Sequence, residues 1–274
     1  MRGILPLEMM RPIPRSFDII GSREKAVAIV EIPRALRDFE GEVAKRIMER
    51  HKNVKSVLVK ESERLGESRI RRYRVLAGDQ NTEVIHREAG CLFKLDPQKV
   101  YFSPREGTER GRVAEKVRDG EEILVMFSGV GPYPIVIAKR HEKVKVIAIE
   151  SNPDAHKYCL ENIYLNRVQD KVIALLGDVR DICPKLGTTF DRIVMPLPKG
   201  AHQFLDLAIP LLNCGGTIHF YHWAREPDLF SQAEELLSNA SERFGRRAEF
   251  LEEVRVSQYS PRIWKIRVDA RIHC

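Results

Sequence analysis

The sequence predicts an α/β protein. Its main part is a Rossmann-like, doubly wound parallel sheet with an antiparallel C-terminal hairpin, and a smaller α+β domain precedes it. Three observations carry this expectation. From Glu122 onward, short apolar runs alternate with helical stretches, which is the pattern of a parallel sheet with crossover helices. The first run enters a glycine loop, Ser128-Gly129-Val130-Gly131-Pro132. The last two runs, Ala248 to Gln258 and Ile263 to Val268, flank the turn Ser260-Pro261-Arg262. The chain divides between Leu95 and Pro104, so residues 1–100 are expected to form the small domain and residues 101–274 the large one.

Composition narrows the class. A length of 274 residues with 43% hydrophobic and 31% charged residues is globular rather than disordered. No apolar run approaches the roughly 20 residues of a membrane helix. Met1 to Arg15 lacks the apolar core of a secretion signal, so a cytoplasmic protein with no membrane association is expected. Five cysteines without a CxxC pair argue against a disulfide framework or a zinc cluster, and no metal is expected. Lys plus Arg exceed Asp plus Glu by 46 to 39, and this +7 balance favours a polyanionic partner.

In the small domain, Lys25 to Ile32 reads as a strand ended by Pro33. Phe39 to Lys52 reads as a helix with Val43, Ile47 and Met48 on one face. Ser56 to Val59 is a short strand. A basic stretch follows with Arg64, Arg69, Arg71, Arg72 and Arg74. Thr82 to Ile85 and Cys91 to Leu95 read as an antiparallel pair around the turn His86 to Gly90.

In the large domain, Glu122 to Phe127 is strand one, and Pro132 suits the first turn of the helix behind the loop. Val144 to Ile149 is strand two, and Asn152 opens a helix reaching Asn166. Lys171 to Leu176 and Asp191 to Met195 are strands three and four. Ala201 to Leu212 reads as a helix stopped by Gly215-Gly216, and Thr217 to Tyr221 as strand five. A long helix lies in Pro227 to Phe244. Two antiparallel strands ending a parallel sheet give the layout of the class I methyltransferase fold.

The strand ends carry a constellation. A glycine loop lets backbone approach a ligand, and a helix N-terminus behind it favours negative charge. Glu150 ends strand two, 19 residues after Gly131, where an acid can accept from both ribose hydroxyls. Asp178 ends strand three and can accept from an adenine amino group. Phe127, Gly129, Val130, Gly131, Ser151 and Val179 complete the candidate cofactor set, with Pro196 after strand four. Pro134 occupies the third slot of GxGxxG, which favours S-adenosylmethionine over a dinucleotide because the former has no pyrophosphate. The same residues also suit plainer roles: a turn at Gly129 and Gly131, a helix cap at Glu150, a surface acid at Asp178.

Several longer motifs resemble a known family. They are Tyr101-Phe102-Ser103-Pro104-Arg105, Thr108-Glu109-Arg110-x-Arg112-Val113, and Met126-Phe127-Ser128-Gly129-Val130-Gly131-Pro132. Asn152-Pro153, Glu161-Asn162, Leu165-Asn166, Ile218-His219-Phe220-Tyr221 and, upstream, Gly66-Glu67-x-Arg69-x-Arg71 continue the match. Together they resemble the archaeal and eukaryotic tRNA (guanine-37 N1)-methyltransferases over nearly the whole chain. The resemblance implies S-adenosylmethionine as cofactor, S-adenosylhomocysteine as product, and the tRNA anticodon loop as partner of a monomeric enzyme. It implies Glu109 as general base for the N1 proton and Arg69 as stabiliser of charge on O6. It implies Arg71, Arg105, Arg110, Arg112 and Pro198 on the RNA side, holding phosphates or ordering the site. Family members often carry a further N-terminal domain reading the tRNA elbow, for which this chain is short.

Three positions depart from the family pattern. Val125 stands where an Asp is usual. Pro196 stands where an Asn amide reads the guanine edge, and proline offers only its carbonyl. Glu106 stands where a Leu is usual, adding negative charge near the expected base pocket. Two other functions fit the same fold. One is aminocarboxypropyl or methyl transfer to a wybutosine precursor at position 37; the aminocarboxypropyl relative needs no N1 base, so Glu109 favours N1 methylation. The other is a degenerate RNA-binding paralogue.

Overall fold

The computed structural model describes residues 17–61 and 72–274. Arg64, Arg69, Arg71 and the N-terminal stretch to Arg15 lie outside the described residues. The chain divides into two compact units, one ending at Pro104 and the other running Arg105–Cys274.

The first unit carries a four-stranded sheet in the order β1 (Asp18–Gly21), β2 (Ala26–Val30), β3 (Val54–Lys60), β4 (Tyr73–Gly78). β2 and β3 are parallel, as the crossover through α1 (Glu40–Arg50) requires. Val43, Ala44 and Ile47 recur at helical spacing and pack against Ala26, Ala28, Val30, Val54 and Val57. A separate hairpin joins β5 (Val84–Glu88) to β6 (Cys91–Leu95). The sequence reading missed β1 and β4. In β4, Arg74 bridges Glu40 and Glu61, at 2.9 and 2.8 Å.

The second unit opens with α2 (Gly107–Lys116), which the sequence reading did not assign as a helix. A seven-stranded sheet follows in the order β12-β13-β11-β10-β7-β8-β9. Its parallel strands are β7 (Glu122–Met126), β8 (Lys145–Glu150), β9 (Val172–Leu176), β10 (Phe190–Met195) and β11 (Leu212–Arg225). β12 (Arg247–Ser260) and β13 (Ile263–His273) close it antiparallel. The crossovers are α3 (Pro132–Arg140), α4 (Pro153–Asn166), α5 (Val179–Ile182), α6 (Leu205–Ala208) and α7 (Ser231–Glu242). Strand order reverses between β7 and β10, and a ligand crevice forms at such a switch point, beyond the strand C-terminal ends.

Three expectations need correction. The helix expected over 201–212 is a string of short turns around the single-turn α6, because Pro210 removes a backbone donor there. Gly215-Gly216 does not end a helix but sits inside β11. Pairing with β10 jumps there from Phe190–Leu212 to Arg192–Thr217, and Gly215 takes φ +80° in the bulge. Finally, Cys214 and Cys274 are joined as a disulfide. The β11–β13 register places Gly216 opposite Ile272, and carrying it two residues further brings Cys214 opposite Cys274, with Cα atoms 5.4 Å apart. Among the described residues no helix is long and apolar enough to cross a membrane.

Candidate active site

The crevice begins where β7 ends. Phe127, Gly129 and Gly131 all take left-handed backbone, at φ +59°, +58° and +87°. Ser128 N donates to Ile149 O (2.8 Å), pinning the loop to β8, and Gly131 N returns to Ser128 O (3.0 Å). Glycine at 131 is set by packing: a Cβ there would lie 2.8 Å from Cys159 Sγ and 3.0 Å from Ile135 Cδ1. Glycine at 129 is different. A Cβ there would meet no protein atom within 4 Å, so this backbone faces open space that a ligand can enter. Val130 turns inward, and its carbonyl accepts from Asn162 Nδ2 (3.0 Å).

Glu150 closes this loop from the next strand. Its Oε2 accepts from Gly129 N (2.7 Å) and its Oε1 from Asn152 N (2.8 Å). Burial raises the Glu150 carboxyl above its ordinary range, and these backbone bonds oppose that rise. Each oxygen keeps a further lone pair, so two hydroxyl donors can still be accepted. Ser151 beside it is exposed. Asp178 caps α5 through Arg180 N (2.8 Å) and binds the Arg180 guanidinium at 3.0 and 2.6 Å. That guanidinium holds the Asp178 carboxyl below its usual range. Arg180 also lies 5.6 Å over the Phe204 ring, which meets Phe127 edge-on at 4.9 Å. Val179 is buried. After β10, Leu197 N donates to Met195 O (2.8 Å), a three-residue turn centred on Pro196. The fixed φ of proline suits that turn, and Pro198 beyond it is buried.

Glu109 lies in α2, 3% exposed. Its Oε1 accepts from Tyr221 Oη (2.7 Å) and from Arg267 Nη1. Tyr221 in turn accepts from Tyr133 Oη (2.9 Å), in the first turn of α3 and two residues beyond Gly131. A hydrogen-bonded chain therefore links the helix behind the glycine loop to Glu109. Burial, reinforced by nearby carboxylates, pushes both phenols well above the ordinary tyrosine value, so both keep their protons and donate. Glu109 Oε2 has no hydrogen-bond partner among the described residues; Arg112 Nη1 stands 3.7 Å away. A buried carboxylate oxygen without a hydrogen-bond donor is costly, and the charge of Arg112 offsets part of that cost.

Behind Glu109 lies a buried ionic network. Arg267 is fully buried and meets three carboxylates: Glu109, Glu252 (2.6 Å) and Asp269 (2.7 Å). Burial alone would lower Arg267, but Tyr221, Asp269 and Glu109 outweigh it and raise it, so the guanidinium stays charged. Asp269 also contacts His219 Nδ1 (2.6 Å), whose Nε2 faces Arg192 Nη1 (2.8 Å). Arginine can only donate, so Nε2 is the acceptor and the His219 proton sits on Nδ1. The neutral ring agrees with its burial, which lowers it. Lys265, 3% exposed, pairs with Glu106 at 2.8 Å and lies 4.7 Å from the Tyr221 ring centroid. The extra acid at Glu106 is thus neutralised rather than left facing the pocket.

Of the RNA-side candidates, Arg105 and Arg112 are exposed, whereas Arg110 is buried and its charge acts on Tyr133. Burial suits Arg110 to ordering the site rather than meeting phosphate. Sequence reasoning missed Tyr133, Glu252, Arg267 and Asp269, and it quoted Tyr221 within a motif without giving it a role. A signal existed in β13, where Lys265, Arg267 and Asp269 alternate with Ile266, Val268 and Ala270. Such alternation reads as a solvent-facing charged side, but here that side is buried.

Comparisons with known proteins show the family. Residues 84–249 match the model of the TRM5/TYW2 methyltransferase domain, and residues 1–82 that of the TYW2 N-terminal domain. The chain is 44% identical to tRNA (guanine(37)-N(1))-methyltransferase Trm5b of Pyrococcus abyssi, over 98% of this chain and 78% of that protein. The crystal structure of that Trm5b superposes with a TM-score of 0.88. A complex of aTrm5 with tRNALeu gives 0.84 at 32% identity, covering 97% of this chain and 74% of that one. TYW2 of Pyrococcus horikoshii in complex with MeSAdo gives 0.83 at 29% identity, covering 99% and 96%.

Proposed function

Because this chain belongs to the TRM5/TYW2 methyltransferase family, we propose that it transfers the methyl group of S-adenosylmethionine to N1 of guanosine 37 in tRNA. The observation that carries this reading is the buried Glu109 carboxylate, one oxygen held by Tyr221 and Arg267 and the other without a donor. Guanine N1 bears a proton at neutral pH, and its lone pair becomes a nucleophile only when that proton leaves. Glu109 Oε2 accepts the proton as the N–H bond breaks, and the electrons of that bond remain on N1. Negative charge then builds on O6, which in this reading Arg69 stabilises. Arg71, Arg105 and Arg112 hold the anticodon loop by its phosphates while the base is turned out of the stack.

The cofactor fits the residues at the strand ends. Gly129 leaves open space at the loop, Glu150 has lone pairs for ribose hydroxyls, and Asp178 lies at the next strand end for an adenine amino group. Bound there, S-adenosylmethionine supplies an electrophilic methyl on its sulfonium and leaves as S-adenosylhomocysteine. Phe127, Val130, Gly131, Ser151, Val179 and Pro196 line or shape this cleft. Residues 1–100 act as the RNA-binding unit and residues 101–274 as the catalytic one, in a cytoplasmic monomer.

One observation favours a second reading: the match of residues 1–82 to a TYW2 N-terminal domain. In that reading the group transferred is aminocarboxypropyl, to a wybutosine precursor, and Glu109 has no proton to remove. One experiment decides between them. The protein is incubated with S-adenosylmethionine and either an unmodified G37 transcript or a tRNA bearing the precursor, and the digested nucleosides are identified by mass spectrometry. N1-methylguanosine from the G37 transcript, and none from a G37→A transcript, is the expected result. An aminocarboxypropyl adduct on the precursor, with G37 unmodified, would establish the second reading instead.

A further inference from the structure

Arg267 comes from the C-terminal hairpin, 158 residues after Glu109, and belongs to none of the sequence motifs singled out above. It is fully buried, and each nitrogen of its guanidinium meets a carboxylate. Tyr221 lies directly opposite it in the β11–β13 register and donates to the same Glu109 oxygen. Both donors converge on Oε1, and the pair fixes which oxygen is left over.

We propose that Arg267 and Tyr221 are positioning residues for the general base, occupying Oε1 of Glu109 and so aiming its Oε2 at the proton to be removed. The inference rests on Glu109 being that base. Its physical content is a division of labour within one carboxylate. Oε1 is saturated by a cation and a phenol whose proton burial keeps in place, so a proton arriving at Glu109 goes to Oε2. Other charges facing Glu109 do not replace this pair. Arg112, on its own helix, is exposed and stands 3.7 Å from Oε2. Lys265 is spent on Glu106, and Lys116 reaches Glu252 and Asp269 rather than Glu109. Tyr133 reaches Glu109 through Tyr221, and the Arg110 charge acts on Tyr133. The carboxylates Glu252 and Asp269 fix Arg267 from its other sides and oppose the charge on Glu109, which makes the guanidinium necessary rather than surplus.

The test is the pH dependence of the single-turnover rate on a G37 transcript, with cofactor affinity measured by calorimetry on each preparation. Tyr221→Phe keeps the ring and removes the donor; Arg267→Lys keeps the charge and removes the fork. Each is expected to move the low-pH limb of the rate to higher pH by up to about one unit, with affinity for S-adenosylmethionine within about twofold of wild type. Arg267→Gln is expected to move it further, by one to three units on the order of a lost neighbouring charge. Should that variant fail to fold, the first two still decide. Rates lowered equally at every pH, with the limb in its wild-type place, would overturn the inference. Glu109→Gln tests the underlying reading separately. If it turns over like wild type, the base assignment falls. If it is inactive while the Tyr221→Phe and Arg267→Lys profiles superimpose on wild type, only the positioning role falls.

Discussion

The two halves of the candidate site are built by different means. The cofactor edge is made of backbone: a loop with three left-handed residues, closed by the Glu150 carboxylate on two amide N–H groups. The Glu109 pocket is made of side chains from α2, α3, β11, β12 and β13, buried together and paired by charge. The first draws on a short stretch of sequence and on backbone groups. The second is non-local, and each of its charges depends on another staying in place. A disturbance at the first should therefore read out in cofactor binding, with a stability cost where packing fixes the loop at Gly131, and at the second as stability and rate.

The largest expected effect tests the ionic pocket. Asp269→Ala leaves Arg267 and His219 without their shared anchor, and breaking a buried pair in this way costs about 3–5 kcal/mol. Denaturant unfolding of wild type and variant measures it; a loss below about 1 kcal/mol would mean the network behaves like a surface pair. The pH sign follows from the same residue. Burial would raise Asp269, but His219, Arg267 and Lys116 outweigh it and hold it below the usual range. Its stabilisation is thus complete above the unfolded carboxyl value and is lost as pH falls through the lower folded one. Wild type should lose this increment on acidification, and Asp269→Ala should have none to lose.

The glycine loop gives the next effect. Gly131→Ala combines left-handed backbone with a Cβ 2.8 Å from Cys159 Sγ. A cost of about 2–3 kcal/mol is expected, with at least tenfold weaker cofactor binding. Unchanged thermal stability and affinity would show that the loop's shape is not what the ligand reads.

Glu150→Gln should weaken S-adenosylmethionine about tenfold, the worth of one charge-assisted hydrogen bond. Hydroxyl donors favour the ionised carboxylate, whereas burial has raised Glu150 in the free protein. Wild-type affinity should accordingly fall as pH drops through that raised value, while the variant's affinity stays flat over the same window. Equal slopes for both proteins would place the titrating group elsewhere.

The smallest effect separates Asp178 from Arg180, which now bind each other. Asp178→Asn should weaken the cofactor several-fold, about 1 kcal/mol. Arg180→Ala should leave affinity equal or slightly tighter, because it frees the acceptor. The opposite ranking would make Arg180 the group that meets adenine.

The same contrast explains what was legible in the sequence. The parallel sheet, its closing hairpin, the glycine loop and the helix capped by Asn152 rest on short-range chemistry, and the side chain of Asn152 does accept from Asp154 N at 3.0 Å. Gly215-Gly216 misled because glycine marks bulges as well as helix ends, and only the pairing of β10 with β11 separates the two. Lys265, Arg267 and Asp269 carried no legible sign of their role. Their alternation satisfies the rule for a half-exposed strand, and their burial follows from Glu106, Glu109, Glu252 and His219 arriving from other elements. Glu109 and Tyr221 both stand in quoted motifs, but their pairing with each other and with Arg267 was not legible, because no local pattern records a partner more than a hundred residues away.

The most direct test of this division is Glu109→Gln, with methyl transfer to a G37 transcript and S-adenosylmethionine binding measured on the same preparation. Turnover reduced about 10²–10⁴-fold, the range of a lost general base, with cofactor affinity within about twofold of wild type, is the expected result. Parallel loss of both, or full retention of turnover, would contradict it.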